Sequence, residues 1–532
     1  MCHKSFGSGA MVTSEGIVIM PFVSTSPGSK LFFWSITCAL AGFIFGFDLI
    51  VISGAEQEIQ SLWNLSDQLH GLAISAALWG TVLGSLIGAL PTDRFGRKKT
   101  LLSIGILYFV SAIWSALAND PTSFMIARFI GGLGIGVSTV AAPIFISEIS
   151  PSDRRGRLTG MFQFNIVLGL LIATLSNFAI ASLMSDSSDL AWRWMLGVEA
   201  IPALFYSFLC FLLPESPRWL IGQGRKDEAK PILKAINPSY STEQVEALAT
   251  EIENANRATS ATPTFSWQRL RLPIFLAFLV AFFNQLSGIN AILGFAPRIF
   301  QLTGIDTSAS LLNSSLITLT NLVFTFVGLY LIDRLGRRTL LTIGSFGYIA
   351  SLGICAWAFH QYSEPFEQAA DAIDLKNQAA AIVAGEAHLP DGLAEDPSVA
   401  SFDQQGLEEV ADAQLEAARE RSGAGGTLVL ICILAFIAAH AVGQGTVIWV
   451  LISEIFPPAA RGFGQSLGSA THWVFAAILT LVFPWAMGTF APSHIFAFFA
   501  FMMLLQLLWV KTMVPETKGV SLEDMEATLG GK

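Results

Sequence analysis

The sequence predicts an all-α membrane protein of twelve transmembrane helices arranged as two six-helix pseudo-repeats. Three observations carry that prediction. The 532-residue chain is 53% hydrophobic and only 13% charged, against about 25% charged in a soluble domain. Apolar runs of about twenty residues, each enough to cross the hydrocarbon core, start near Leu31, Leu69, Leu101, Phe124, Leu158, Trp194, Pro273, Ser310, Leu340, Thr427, Gly464 and Ser493. Three motifs of the first half return in the second: Asp93-Arg94-Phe95-Gly96-Arg97-Lys98 as Asp333-Arg334-Leu335-Gly336-Arg337-Arg338, Ser147-Glu148-Ile149 as Ser453-Glu454-Ile455, and Pro214-Glu215-Ser216 as Pro515-Glu516-Thr517.

Taken in order, residues 1–30 are Gly/Ser-rich and are expected as a cytoplasmic N-terminal segment, with no cleavable signal peptide ahead of the first run. Residues 31–213 are expected as the first six-helix bundle and 272–513 as the second, with a helical linker at 214–271 and a short tail at 514–532. Arg94, Arg97, Lys98 and Lys99 fall between runs two and three, Arg334, Arg337 and Arg338 between eight and nine, and Arg461 between ten and eleven, whereas the links 53–68 and 119–127 contain no Lys or Arg. Positive charge marks the cytoplasmic side. Both termini and the even-numbered links are therefore expected in the cytoplasm of a multi-pass cell-membrane protein.

The net charge of −10 has a local origin, because segment 360–426 holds fourteen acidic and three basic residues. The copies of the repeated motifs are 240 residues apart before this segment and 306 and 301 apart beyond it. The segment therefore reads as an external insertion into a duplicated plan. Leu407, Val410 and Leu415 recur at helical spacing, so short helices are expected, serving as a cap or spacer.

Polar residues inside the runs point to chemistry, since amides and charges at membrane depth cost free energy unless they meet a partner or a watery cavity. Asn284, Gln285 and Asn290 lie in the seventh run, where Gly288, Gly294 and Pro297 weaken the helix. Broken backbone at that depth is tolerated where it lines a cavity, although helix–helix bonding is the alternative for the amides. Asp48 in the first run has a natural partner in Arg128 of the fourth. At the basic face, Glu148, Glu215 and Glu454 stand ready to pair with the arginines of the repeated turns. Asp93, Arg94, Arg97, Asp333, Arg334, Arg337 and Arg338 join them as a candidate gate that holds the two halves together in one state and parts in another. Topology alone is the competing reading of those charges.

The composition also excludes functions. The five cysteines are scattered and show no metal or disulfide spacing, and no nucleophile–base constellation appears. An enzyme, a cofactor and a nucleic-acid partner are all unexpected. Two parallel repeats around a midplane site describe an alternating-access transporter.

The motifs resemble the sugar porters of the major facilitator superfamily, which include bacterial sugar–proton symporters and animal glucose facilitators. The resemblance rests on Gly42-Phe43-Ile44-Phe45-Gly46-Phe47-Asp48, Pro214-Glu215-Ser216-Pro217-Arg218, Asp333-Arg334-Leu335-Gly336-Arg337-Arg338 and Pro515-Glu516-Thr517-Lys518-Gly519. It implies a sugar site built from Gln163, Gln285, Asn290, Asn321 and Trp449, with Asn284, His472 and Trp473 as second-tier members. Asn284 replaces a usual Gln, and Gly294 and Phe295 replace a usual Tyr pair. The resemblance further implies that Asp48 is a proton site modulated by Arg128, because proton-coupled members carry Asp there. A carboxylate that alternates between an arginine and a desolvated setting alternately releases and takes a proton.

The sequence thus points to secondary transport of a hexose or pentose with a proton, by a chain embedded in the lipid bilayer and functional as a monomer. A facilitative sugar or polyol uniporter and a non-transporting sugar sensor are the alternatives.

Overall fold

The structure, a computed structural model, describes residues 27–151, 155–184, 188–260, 267–383, 403–456 and 460–520. The expected N-terminal segment up to residue 26, the middle of the acidic segment at 384–402 and the tail from 521 lie outside the described residues. Every regular element among the described residues is a helix.

Twelve helices are long and apolar enough to cross a membrane, and they match the twelve runs one for one. Spans one to six are Lys30–Gly54, Asp67–Ile87, Arg97–Leu117, Pro121–Ile149, Gly160–Leu183 and Leu190–Phe211. Spans seven to twelve are Leu270–Gly294, Thr307–Leu335, Arg337–Gln361, Gly425–Ile455, Gly462–Thr489 and Pro492–Met513. Local chemistry sets several starts. Asp120 accepts from the Ser123 N–H at 2.9 Å with Pro121 in the first turn, and Asp306 accepts from the Ala309 N–H at 2.9 Å. Each satisfies a backbone donor that the helix itself leaves open.

The duplication read from the motifs extends to packing. In the first half, span one packs on five, two on four and three on six; in the second, seven packs on eleven, eight on ten and nine on twelve. The halves meet along spans two and eleven and along spans five and eight. Small residues let these helices approach: a Cβ at Gly71 would stand 2.0 Å from the Leu481 carbonyl oxygen across the first seam. Across the second, the Thr174 and Thr318 hydroxyls are 2.8 Å apart.

The turns after spans two and eight are also built alike. Gly96 has φ 92° and Gly336 φ 90°, a left-handed backbone that favours glycine. A Cβ would lie 2.3 Å from Glu215 Oε2 at the first and 2.5 Å from Glu516 Oε2 at the second. The repeated glycines therefore make room for the repeated glutamates.

Two further layers flank the spans. On the arginine-rich face, Pro217–Gly222, Lys226–Ile236 and Thr242–Ser260 pack together through Leu220, Leu233, Val245 and Ile252. On the opposite face the acidic segment is helical, as its periodicity predicts, but its helices Ser363–Val383 and Gln404–Ser422 are long rather than short. They pair through Ala369, Ala372, Ile373, Leu415 and Ala418, and Arg419 ties them to the bundle by donating to the Gly304 carbonyl at 2.9 and 2.7 Å.

Candidate functional site

Span seven breaks where the sequence suggests. Its long helix Trp267–Leu286 stops, Gly288 adopts φ 85°, and short helices Ile289–Gly294 and Ala296–Gln301 follow. Glycine is required here twice over, because a Cβ would also stand 2.6 Å from the Phe499 ring.

The break gathers the amides around Gln285, which is fully buried. Gln285 Nε2 donates to Asn284 Oδ1 at 3.0 Å and lies 3.1 Å from both ring nitrogens of His472, while its Oε1 accepts from Asn290 Nδ2 at 2.8 Å. A ring nitrogen of His472 that accepts from this amide must be unprotonated. Aromatic rings frame the amides. The His472 ring lies 5.3 Å from Trp449 and 4.7 Å from Trp473, and Trp473 meets Phe45 edge-on at 5.6 Å. The buried Trp473 indole N–H has no partner among the described residues. Amides that donate and accept in fixed directions beside apolar ring faces suit a polyhydroxylated ring.

The structure thus brings together six of the residues singled out in the sequence. Gln163 and Asn321 stay apart from that network: both are half-buried, on spans five and eight, and no described hydrogen bond joins either to the cluster.

A second cluster is ionic. Asp48 and Arg128 are 1% and 2% exposed; Arg128 Nη1 donates to Asp48 Oδ1, and Nη2 donates to the Asp48 carbonyl at 2.9 Å. Asp48 Oδ2 and Arg128 Nε have no further partner among the described residues. Glu199, 1% exposed, turns its carboxyl toward Asp48 and Arg128. The sequence reading missed Glu199, although a lone carboxylate in the sixth apolar run carries the same cost as Asp48 and is the signal that could have found it. It sits where span six breaks, between the helices Ser188–Gly197 and Ala200–Phe211.

One small cavity between the halves, about 30 Å³ and walled mainly by apolar side chains, touches one member of each cluster, with Arg128 on its wall from one half and Asn290, Gly294 and Thr480 from the other. Gly294 keeps it open, since nothing lies within 4 Å of where its Cβ would be. Phe295 instead turns into the core and packs on Phe483 at 5.1 Å.

The basic-face charges pair within each half. Arg97 holds Glu148 through two bonds of 2.9 Å, and its backbone N–H donates to Glu215 at 2.8 Å. Arg337 holds Glu454 at 3.0 and 2.7 Å, and its N–H donates to Glu516 at 2.9 Å. Asp93 and Asp333 add longer contacts of 3.1 and 3.4 Å to the same arginines. Arg94 lies over the Phe95 ring and Arg334 over Tyr330, and Arg338 donates its N–H to Glu516 at 3.1 Å. Each of these pairs lies within one half, as a gate that has parted would leave them. The glutamates stand at the ends of spans four and ten and just beyond six and twelve, beside the turn of their own bundle.

Comparison with known proteins adds a family. A family model described as "Sugar (and other) transporter" matches residues 34–380 and 411–529, and its gap falls inside the acidic segment. The D-xylose transporter of Levilactobacillus brevis is 30% identical over 93% of this chain and 94% of its own length. The arabinose-proton symporter of Bacillus subtilis is 30% identical over 92% and 94%. Among solved structures, the xylose transporter XylE from E. coli in a partially occluded inward open conformation is 26% identical, with a TM-score of 0.71, covering 93% of this chain and 100% of that one.

Proposed function

The chain belongs to the sugar transporter family of the major facilitator superfamily, and from that premise we propose that it moves a monosaccharide across the membrane in symport with a proton, by alternating access. A pentose or hexose is the substrate class. Gln285, Asn290, Asn284 and His472 bind its hydroxyls, with Trp449 and Trp473 against its C–H faces; Gln163 and Asn321 join from spans five and eight as the halves close around it.

The observation that supports coupling is the shared cavity, which has Arg128 on one wall and Asn290 on the other. Two carboxyls, Asp48 and Glu199, face one guanidinium. One positive charge balances one carboxylate, so the trio has room for one proton. Sugar bound at Asn290 draws the halves together around Arg128 and so changes which carboxyl the guanidinium serves. The proton then travels with the sugar.

In this reading the arginine-rich face is cytoplasmic, the acidic helices are external, and the protein works as a monomer in the cell membrane. The Arg97–Glu148–Glu215 and Arg337–Glu454–Glu516 clamps keep each half rigid, so that the halves rock as bodies. The test is a panel of pentoses, hexoses and polyols offered to reconstituted vesicles, read as uptake and as alkalinisation of the medium. Sugar-dependent alkalinisation supports symport; uptake without it marks a uniporter, and binding without flux marks a sensor.

A further inference from the structure

On the face away from the arginine-rich turns, a charged cluster crosses from one half to the other. Glu56 lies in the helix Glu56–Leu62 just after span one and is fully buried. Arg298 comes from the helix Ala296–Gln301, beyond the Gly288 break. The two form a forked pair: Arg298 Nε donates to Glu56 Oε1 at 3.0 Å and Nη2 to Oε2 at 2.8 Å. Gln60 Oε1 accepts from the same Nη2 at 2.6 Å. His70 of span two places its Nε2 3.1 Å from Glu56 Oε2 and meets the Phe295 ring edge-on. Burial acts to raise the Glu56 carboxyl, yet Arg298 and His70 outweigh it and hold the group below the usual carboxylate range.

The position of Arg298 gives this pair a consequence. Residues 289–301 follow the left-handed Gly288 and carry Asn290 and Gly294 on the cavity wall. Arg298 is the far end of that hinged stretch, and Glu56 grips it from the other half. Opening the cavity on this side means parting them. A buried carboxylate that loses its partner is costly unless water reaches it, so the pair favours the closed side until the vestibule floods.

We propose that Glu56 and Arg298 form a latch between the halves that shuts the cavity on the face opposite the arginine-rich turns and releases when the 289–301 stretch swings out to admit substrate. The latch rests on the alternating-access reading, but its test needs no transport. Ser61 and Ser308, exposed on either side of the latch, are replaced by Cys in a Cys2→Ser chain and spin-labelled in lipid nanodiscs, and the distance distribution across this face is read directly. Failed transport by the same protein would count against the symport reading alone.

The parent chain is expected to show mainly the short distance. Arg298→Met, which strands the carboxylate, shifts population to longer distances, as does Glu56→Gln. The double variant Glu56→Gln/Arg298→Met opens less than Arg298→Met alone, because the stranded charge is gone. Gln60→Ala leaves the charged pair in place, removes a neutral acceptor of Arg298 along with the Gln60 donor contacts to Asp67 and the Leu65 carbonyl, and gives a smaller shift in the same direction. An unchanged distribution in Gln60→Ala and in every charged variant that folds overturns the latch. So does a double variant whose opening equals the sum of the single effects.

Discussion

Arg128 of span four and Asn290 of span seven line one cavity from opposite halves of the molecule. The first is bound to Asp48 and the second to Gln285, at 2.8 Å. An ionic cluster and an amide cluster that would each be ordinary alone are therefore joined by a common space. Because that space lies between the two repeats, a movement of one half against the other changes the spacing between the two clusters. In the symport proposed above, this relationship is what would tie sugar recognition to proton binding.

Gln285→Ala tests the amide hub. The substitution removes bonds to Asn284, Asn290 and His472 and leaves buried polar groups unpaired. Sugar affinity should fall about 10- to 100-fold, or about 1.4–2.7 kcal/mol, measured by calorimetric titration of the transported sugar. The fold should survive, as shown by an unchanged elution profile.

Glu199→Gln tests the second carboxyl. The amide keeps the shape and removes the titrating proton. Counterflow exchange should persist while accumulation against a gradient falls toward equal concentrations on the two sides, because the amide takes up no proton. Uphill uptake at the parent level would leave Glu199 with a packing role only.

Gly288→Ala tests the break in span seven. The new Cβ meets the Phe499 ring at 2.6 Å on a backbone of φ 85°, so about 1–3 kcal/mol of stability should be lost. A thermal melt in detergent measures it, and sugar binding should weaken alongside because Asn290 moves.

Glu148→Gln and Glu454→Gln test the duplicated clamps. Each breaks a two-pronged arginine pair of the same geometry, at a cost of about 1–3 kcal/mol for partly buried groups. The two melts should drop by similar amounts, and the pair of changes should be additive, because the clamps lie in separate halves.

Much of this was legible in the sequence because the bilayer imposes simple rules. Spans need about twenty apolar residues, so the twelve runs translated directly into twelve helices. Gly288 and Asn290 announced the broken span. Partners distant along the chain were harder to see. Arg97 and Arg337 belong to visible acid–base motifs, but that each binds Glu148 or Glu454 of its own bundle depends on how spans three and four, and nine and ten, lie side by side. The Glu56–Arg298 pair joins residues 242 apart, and no local pattern marks it. Glu199 lies in the sixth run outside any repeated motif, though the same cost of burial applies to it as to Asp48. The long acidic helices exceeded expectation because Ala-rich periodicity continues through Ser363–Val383 and Gln404–Ser422.

Coupling through Asp48 is tested most directly by Asp48→Asn in reconstituted vesicles, with sugar accumulation driven by an imposed proton gradient and exchange measured in parallel. The asparagine keeps a partner for Arg128 but cannot carry the proton. Accumulation should collapse to equal concentrations on the two sides while exchange continues. A variant that still concentrates sugar against its gradient would contradict proton coupling at Asp48.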